Sequence, residues 1–382
     1  MSVWDTDERT ALRKTVRAFV ERDVLPHQDE WERFGELPRS LHLRAAELGL
    51  LGAGVSEEVG GSGGDLIDAM IVNEEIHRTG GSGGLFASLF THGIALPHMI
   101  AAGDPDQIDR WVRPTLAGER IGSLAITEPG GGSDVGHLRT RADRDGDEYV
   151  VNGAKTYITS GCRADFVVTA VRTGGPGASG VSLLVIEKDT PGFEVSRKLE
   201  KMGWLASDTA ELSFTDVRVP VANLVGAENS GFAQIAQAFV SERIGLAVQA
   251  YASAQRSLDL TLDWVRSRET FGRPLISRQS VQVTVTEMAR RIDVARVYAR
   301  SVVERYLAGD GDLVAEVCFA KNTAVEAGEW VVNQGVQLFG GLGYMRESEI
   351  ERQYRDMRIL GIGGGTTEIL TTLAAKRLGF AS

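Results

Sequence analysis

Cysteine is almost missing from this chain. There are two in 382 residues, Cys162 and Cys318, far apart in sequence. A disulfide framework or a thiolate metal cluster is therefore not expected, and a reduced, cytoplasmic setting is. Basic residues are in deficit: 41 Lys and Arg against 52 Asp and Glu leave a net charge of −11. That argues against nucleic acid as a partner, because neutralising phosphates needs a basic surface. No run of about 18 apolar residues stands out, so no membrane span is expected. The opening "MSVWDTDERT" has no positive start leading into an apolar block, so it does not read as a secretory signal. Neither G-x-x-x-x-G-K-[ST] nor a strand-turn-helix G-x-G-x-x-G occurs. The six histidines show no metal-ligand spacing; His92 and His98 are separated by Pro97 and make a poor ligand pair. No metal is expected, and structural or surface roles suit all six.

What is present is an ordinary globular balance, 43% apolar and 24% charged, enough for two or three domains or one large unit. Up to about residue 121 the texture is helical. "ERTALRKTVRAFVERDV" puts Leu12, Val16 and Phe19 on one face, "RSLHLRAAELGL" predicts a helix ended by Gly52, and "GGDLIDAMIVNEEIHRTG" predicts another closed by glycine. From about 122 to 226, "EYVVNGAKTYIT", "ADFVVTAV", "VSLLVIEKDT" and "TAELSFTDVRV" read as β-strands parted by turn residues. Residues 230–309 predict one or two long helices, 312–335 another and 366–377 the last. The fold class is α+β, multidomain, with divisions at 1–121 (helical), 122–227 (β) and 228–382 (helical).

Four glycine-bearing motifs, the first present in two copies, need an explanation. "GGSGG" occurs at 60–64 and 80–84 and matches the G-x-S-x-G of serine hydrolases, but the second copy follows a helical pattern where a nucleophile elbow requires a strand. Both copies are better read as loops. "LAITEPGGGSD", Leu124 to Asp134, takes a strand end into consecutive free N–H groups and a hydroxyl, suited to a ligand with carbonyl or phosphate oxygens. "VNGAKTYITS" carries Asn-Gly and on pattern alone is a hairpin. "GIGGGTTEI", 361–369, has three glycines in a row and no evident catalytic group.

The second and third stretches, with "SRETFGRPLISRQ" (267–279), "QLFGGLGY" (337–344) and "RDMRILGIGGGTTEIL" (355–370), resemble the acyl-CoA dehydrogenase family in order and spacing. The resemblance covers nearly the whole chain. It implies an N-terminal helical domain, a β-barrel-like middle domain and a C-terminal four-helix bundle. It also implies FAD as cofactor, an acyl-CoA substrate, an electron-transfer flavoprotein as acceptor, a place in fatty-acid metabolism, and a homotetramer built as a dimer of dimers.

Residue by residue, the resemblance places Leu124, Ile126, Thr127, Gly132 and Ser133 along the flavin and Tyr157, Ile158 and Thr159 on the ring's other side. Tyr157 stands where Trp or Phe is common. Arg268, Thr270, Phe271, Arg278 and Gln279 of a neighbouring subunit, with Gln337, Gly340 and Gly341, would hold adenine and pyrophosphate. Thr366, Thr367 and Glu368 would also touch FAD. Ser133, Phe239, Arg243, Gly364 and Gly365 would line the substrate, with Arg243 and Ser133 helping to hold its CoA portion. One branch of the family carries its catalytic glutamate at the position of Gly364, which this chain lacks. Isovaleryl- and long-chain-type members carry it on a bundle helix that matches "FVSERIGLA", where the acid is Glu242.

Helical spacing independently singles out that acid. Phe232, Ile235, Phe239, Glu242, Leu246 and Gln249 share one face, and a carboxylate in a buried apolar stripe has its pKa raised and becomes a better base. The competing reading is an ordinary ion pair with Arg243 or a bundle lysine. Alternatives for the whole chain are an acyl-CoA oxidase or flavin monooxygenase on the same scaffold, a catalytically silent flavin- or CoA-binding subunit, and the serine hydrolase suggested by "GGSGG".

Overall fold

Thr6 starts the first helix by accepting the Arg9 N–H at 3.3 Å on its hydroxyl. From there the computed structural model, which describes residues 2–381, runs through eight α-helices before its first strand. They are α1 (Asp7–Phe19), α2 (Gln28–Phe34), α3 (Arg39–Glu47), α4 (Leu66–Thr79), α5 (Gly83–Leu89), α6 (His92–Ala102), α7 (Pro105–Gln107) and α8 (Arg113–Leu116). Helix α3 stops at Glu47, not at Gly52, because the left-handed turn falls at Gly49. The second "GGSGG" is punctuation between two helices: Gly80 caps α4, and the Ser82 hydroxyl accepts the Leu85 N–H at 3.0 Å to start α5. No strand precedes it, which removes the structural basis of the hydrolase reading. By length and composition the stretch Gly83–Ala102 is apolar enough to span a membrane, which the sequence reading did not anticipate. It is divided between α5 and α6, and half of it is buried inside the protein.

The middle region is a curled seven-stranded sheet. Its strands are β1 (Gly122–Ala125), β2 (Arg141–Asp145), β3 (Glu148–Thr159), β4 (Phe166–Arg172), β5 (Val181–Glu187), β6 (Phe193–Lys198) and β7 (Thr209–Pro220). They are ordered β1-β4-β2-β3-β7-β6, with β5 on the free side of β4. The unbroken apolar run of β4 is explained by burial on both faces. Val167 and Val171 join Leu184, Leu212 and Phe214 in the sheet's own interior. Phe166, Val168 and Ala170 pack outward on Leu96, Met99 and Trp111 of the N-terminal helices.

The Asn152-Gly153 hairpin does not form. Strand β3 runs straight through it, and the turn lies earlier, between β2 and β3. Gly153 serves another purpose there: a Cβ on it would lie 2.7 Å from Thr140 Cα, so only glycine lets the strand pass.

The C-terminal region holds two long helices, α9 (Gly231–Ser267) and α10 (Gln279–Ala308), joined by the small hairpin β8 (Glu269–Thr270) and β9 (Arg273–Pro274). It continues with α11 (Val314–Phe339), α12 (Glu349–Arg358) and α13 (Thr367–Arg377). Alanines 247, 250 and 252 of α9 are buried in the shared core and let α4 and α11 approach closely. The Asp356 carboxylate on α12 accepts the Gly83 N–H of α5 at 3.0 Å and the Trp204 N–H of the β6–β7 loop at 2.7 Å. It thereby ties together all three parts of the chain.

Candidate functional site

Two buried charges fix the loop that follows β1. Lys155 on β3 has no exposed surface and donates to the Ile126 carbonyl at 3.0 Å and to Glu128 at 2.8 Å. Glu128 also accepts the N–H groups of Arg139 and Thr140 at 2.6 and 2.9 Å, which closes the loop on itself. Burial pushes the Lys155 ammonium down to about 8, opposed by Glu128. Burial alone would raise Glu128, but Lys155 and the donors around it hold the carboxyl below its ordinary value. Neither residue was singled out from sequence, although both lie in the quoted motifs as the acid of T-E-P and the lysine of N-G-A-K.

Leu124 and Ile126 face the same apolar cluster as Phe239 of α9, so this loop and that helix are neighbours. Gly132 lies over Thr127, and Ser133 is exposed at the rim. On β3 the ladder is irregular between Lys155 and Ile158. Tyr157 takes a left-handed φ of 59° and is 70% exposed. A tyrosine held in that conformation with its ring in the open is strained backbone of the kind found at ligand sites. Thr159 is half-buried, whereas the Ile158 side chain is in the sheet interior and offers the loop side only its backbone.

Glu242 lies on α9 beneath the Gly363–Gly365 loop. The apolar stripe is shorter than its spacing suggests: Ile235 and Gln249 are buried, but Phe232 is 38% exposed. Burial pushes the Glu242 carboxyl up to about 7, opposed by the nearby charges of Arg243 and Lys321. Neither cation forms with it the ion pair of the competing reading; both are engaged with the loop. Arg243 stacks over the Phe239 ring at 5.5 Å and donates from Nε to the Gly364 carbonyl at 3.0 Å. Lys321 of α11 donates to the Gly363 and Gly365 carbonyls, each at 2.6 Å. Arg243, expected at the CoA portion, is thus 9% exposed and bound to the loop.

Gly364 has a φ of 65°, and a Cβ placed on it would be 3.5 Å from Glu242 Oε1 and 2.5 Å from Leu246 Cδ1. The carboxylate of Glu242 therefore stands beside the place where a side chain at 364 would start. Thr366 accepts the Ile369 N–H at 3.3 Å and starts α13, leaving Thr367 and Glu368 on its first turn.

The other expected cofactor residues gather elsewhere. Arg268, Thr270, Phe271, Arg278 and Gln279 lie at the α9–α10 turn, with Phe271 96% exposed at a φ of 50°. Arg278 donates to the Thr270 carbonyl at 2.8 Å and lies over the Phe271 ring. Trp264 ties this turn to the end of α11: it stacks on Phe339, donates to the Leu338 carbonyl and lies under Arg268. That contact brings Gln337, Gly340 and Gly341 to the same end. From Glu242 to the end of α9 the helix rises roughly 38 Å, so the two groups of residues are at opposite ends of one rod. Among the described residues, no cluster of His, Cys, Asp and Glu could hold a metal.

Comparison with known proteins covers the whole chain. Residues 6–119, 123–217 and 229–379 match the family models described as acyl-CoA dehydrogenase N-terminal, middle and C-terminal domains. The chain is 37% identical over 376 residues to the long-chain specific acyl-CoA dehydrogenase of Rattus norvegicus mitochondria, covering 98% of this chain and 87% of that one. The acyl-CoA dehydrogenase structure from Geobacillus kaustophilus superposes with a TM-score of 0.95 at 38% identity, over 99% of this chain and 100% of the other. A glutaryl-CoA dehydrogenase of Mycobacterium smegmatis, solved with FADH2, gives a TM-score of 0.90 at 25% identity over 99% and 96% of the two chains.

Proposed function

The chain belongs to the acyl-CoA dehydrogenase family, and from that premise we propose that Glu242 removes the α-proton of an acyl-CoA thioester in forming its trans-2-enoyl product. One observation carries this reading. An unpaired carboxylate, raised to about 7, stands 3.5 Å from where a side chain at Gly364 would begin. At neutral pH such a group is about half ionised, and it is basic enough to accept a carbon-bound proton. Phe239 and Leu246 lie one helical turn to either side of it, and with the Gly363–Gly365 loop they leave Glu242 half-buried, its surroundings largely apolar.

The residues present fit FAD. Tyr157 offers an exposed ring, the loop from Ile126 to Ser133 offers backbone donors, and Arg268 and Arg278 suit an anionic pyrophosphate. When bound there, FAD would supply the hydride acceptor for the β-hydrogen, with an electron-transfer flavoprotein as the expected final acceptor. One dinucleotide is too short to touch both ends of α9. The site is therefore composite, with Arg268 to Gln279 supplied by a second copy in a homodimer, itself half of a tetramer.

A panel of acyl-CoAs added anaerobically to the purified yellow protein tests the reading. The expected result is bleaching of the flavin by one or more of them with stoichiometric enoyl-CoA. No bleaching by any of them would sink it, and rapid reoxidation by O₂ with peroxide release would favour the oxidase instead.

A further inference from the structure

Lys321 is a cation on the buried face of α11, in "EVCFAKNTAVEAG", with no exposed surface. It makes no ion pair within 4 Å among the described residues; its ammonium is engaged by two main-chain carbonyls. These belong to Gly363 and Gly365, and the carbonyl between them, that of Gly364, is held by Arg243. Three successive carbonyls are thus drawn to one side by two cations from α9 and α11. A trans peptide is planar, with C=O and N–H opposed. Drawing the Gly363 carbonyl onto Lys321 therefore turns the Gly364 N–H away from α11. Among the described residues that N–H meets no acceptor.

We propose that Lys321 is a positioning residue for proton abstraction: with Arg243 it locks the Gly363–Gly365 backbone so that the free Gly364 N–H and the Glu242 carboxylate face one reacting centre. An oxygen that gains negative charge as the α-proton leaves needs a donor already oriented when the charge appears. A three-glycine loop has no side chains to provide that order, and the two cations provide it from below. The groups facing Lys321 are Arg243 and Glu242 from α9 and Cys318 from its own helix. Burial pushes the ammonium down to about 8, which leaves it mostly charged at neutral pH. Its charge also opposes the rise of the Glu242 carboxyl.

The inference rests on the assignment of Glu242 as base, and its test separates the two. Lys321→Met should lower kcat roughly 100-fold, the order expected for a mispositioned site, while KM for acyl-CoA changes less than about threefold. The acid limb of kcat/KM should move upward from about 7, because a neighbouring cation is gone. Hydrogen exchange in a peptide spanning 359–369, followed on flavin-loaded protein without substrate, should quicken. Lys321→Arg should return the limb to its wild-type position and part of kcat. Wild-type kcat, limb and exchange in Lys321→Met would overturn the proposal, as would a Lys321→Arg limb that stays with Lys321→Met. Should Lys321→Met fail to fold, Lys321→Gln, a neutral donor, should exchange near the wild-type rate but keep the displaced limb; an unmoved limb there would also overturn it. Turnover by Glu242→Gln would refute the base while leaving the exchange result to judge the clamp.

Discussion

Replacing Glu242 by Gln removes one negative charge and almost no volume, so it isolates the acid–base role. Loss of a positioned general base costs about 10²- to 10⁴-fold in rate, and Glu242→Gln should lose at least that in kcat while keeping its flavin. In the wild type, a carboxyl raised to about 7 is ionised to roughly a tenth at pH 6, half at pH 7 and nine tenths at pH 8. The rate constant kcat/KM should rise about ninefold across that interval and then level off. The same perturbation has a stability consequence of opposite sense. The folded state holds this proton more tightly than the unfolded chain, whose carboxyl titrates near its ordinary 4.5. Stability is therefore unaffected below about pH 4.5, falls as pH rises towards 7, and is flat above. Moving the carboxyl from 4.5 to about 7 corresponds to about 3 kcal/mol. Glu242→Gln should escape that loss and melt a few degrees above wild type at pH 8, with no advantage at pH 4.5, at matched FAD concentration. Wild-type turnover by Glu242→Gln, or a kcat/KM that is flat from pH 6 to 8, would refute the reasoning.

Lys155→Met leaves Glu128 buried without its cation and should cost about 3–5 kcal/mol by urea denaturation, with early loss of flavin; wild-type stability would show that the loop does not depend on the pair. Gly364→Ala sets a Cβ against Leu246 at a left-handed φ and should cost about 1–3 kcal/mol, part of it recovered in Gly364→Ala/Leu246→Ala. Arg278→Ala should weaken FAD binding about tenfold or more, read by fluorescence of released flavin. Co-expressed Glu242→Gln and Arg268→Ala chains, each inactive alone, should recover about a quarter of wild-type activity if the site is composite, since mixed dimers form one intact site; no recovery would place the whole cofactor within one chain.

Much of the fold could be read from periodicity because three textures follow one another along the chain. The strands of the middle region are apolar runs punctuated by turn residues, and α9, α10 and α11 are long and amphipathic. The helices α5 and α6 escaped because they are apolar on nearly every side and carry no stripe to detect. Asn152-Gly153 misled because glycine there answers a close approach by Thr140, the residue just ahead of β2, a tertiary demand that local turn chemistry cannot reveal. At the site, the spacing around Glu242 marked an acid on an apolar face, but the direction of Arg243 and Lys321 depends on where the Gly363–Gly365 loop crosses α9 and α11. That crossing joins the loop to Lys321, some forty positions earlier, and to Arg243, more than a hundred positions earlier, and no local pattern encodes it.

Asp356 has a consequence for the order of events at the ribosome. Its partners, Gly83 and Trp204, are made long before it. While synthesis proceeds from the N-terminus, their two amides have nothing to satisfy them until the last part of the chain emerges. The nascent helical and β parts can join early through Phe166, Val168 and Ala170, but the corner at Gly83 and Trp204 lacks its acceptor until α12 arrives. A chain truncated ahead of residue 356 should thus be cut by proteases first at the corner formed by Gly83 and Trp204, although the apolar packing between its helical and β parts is complete.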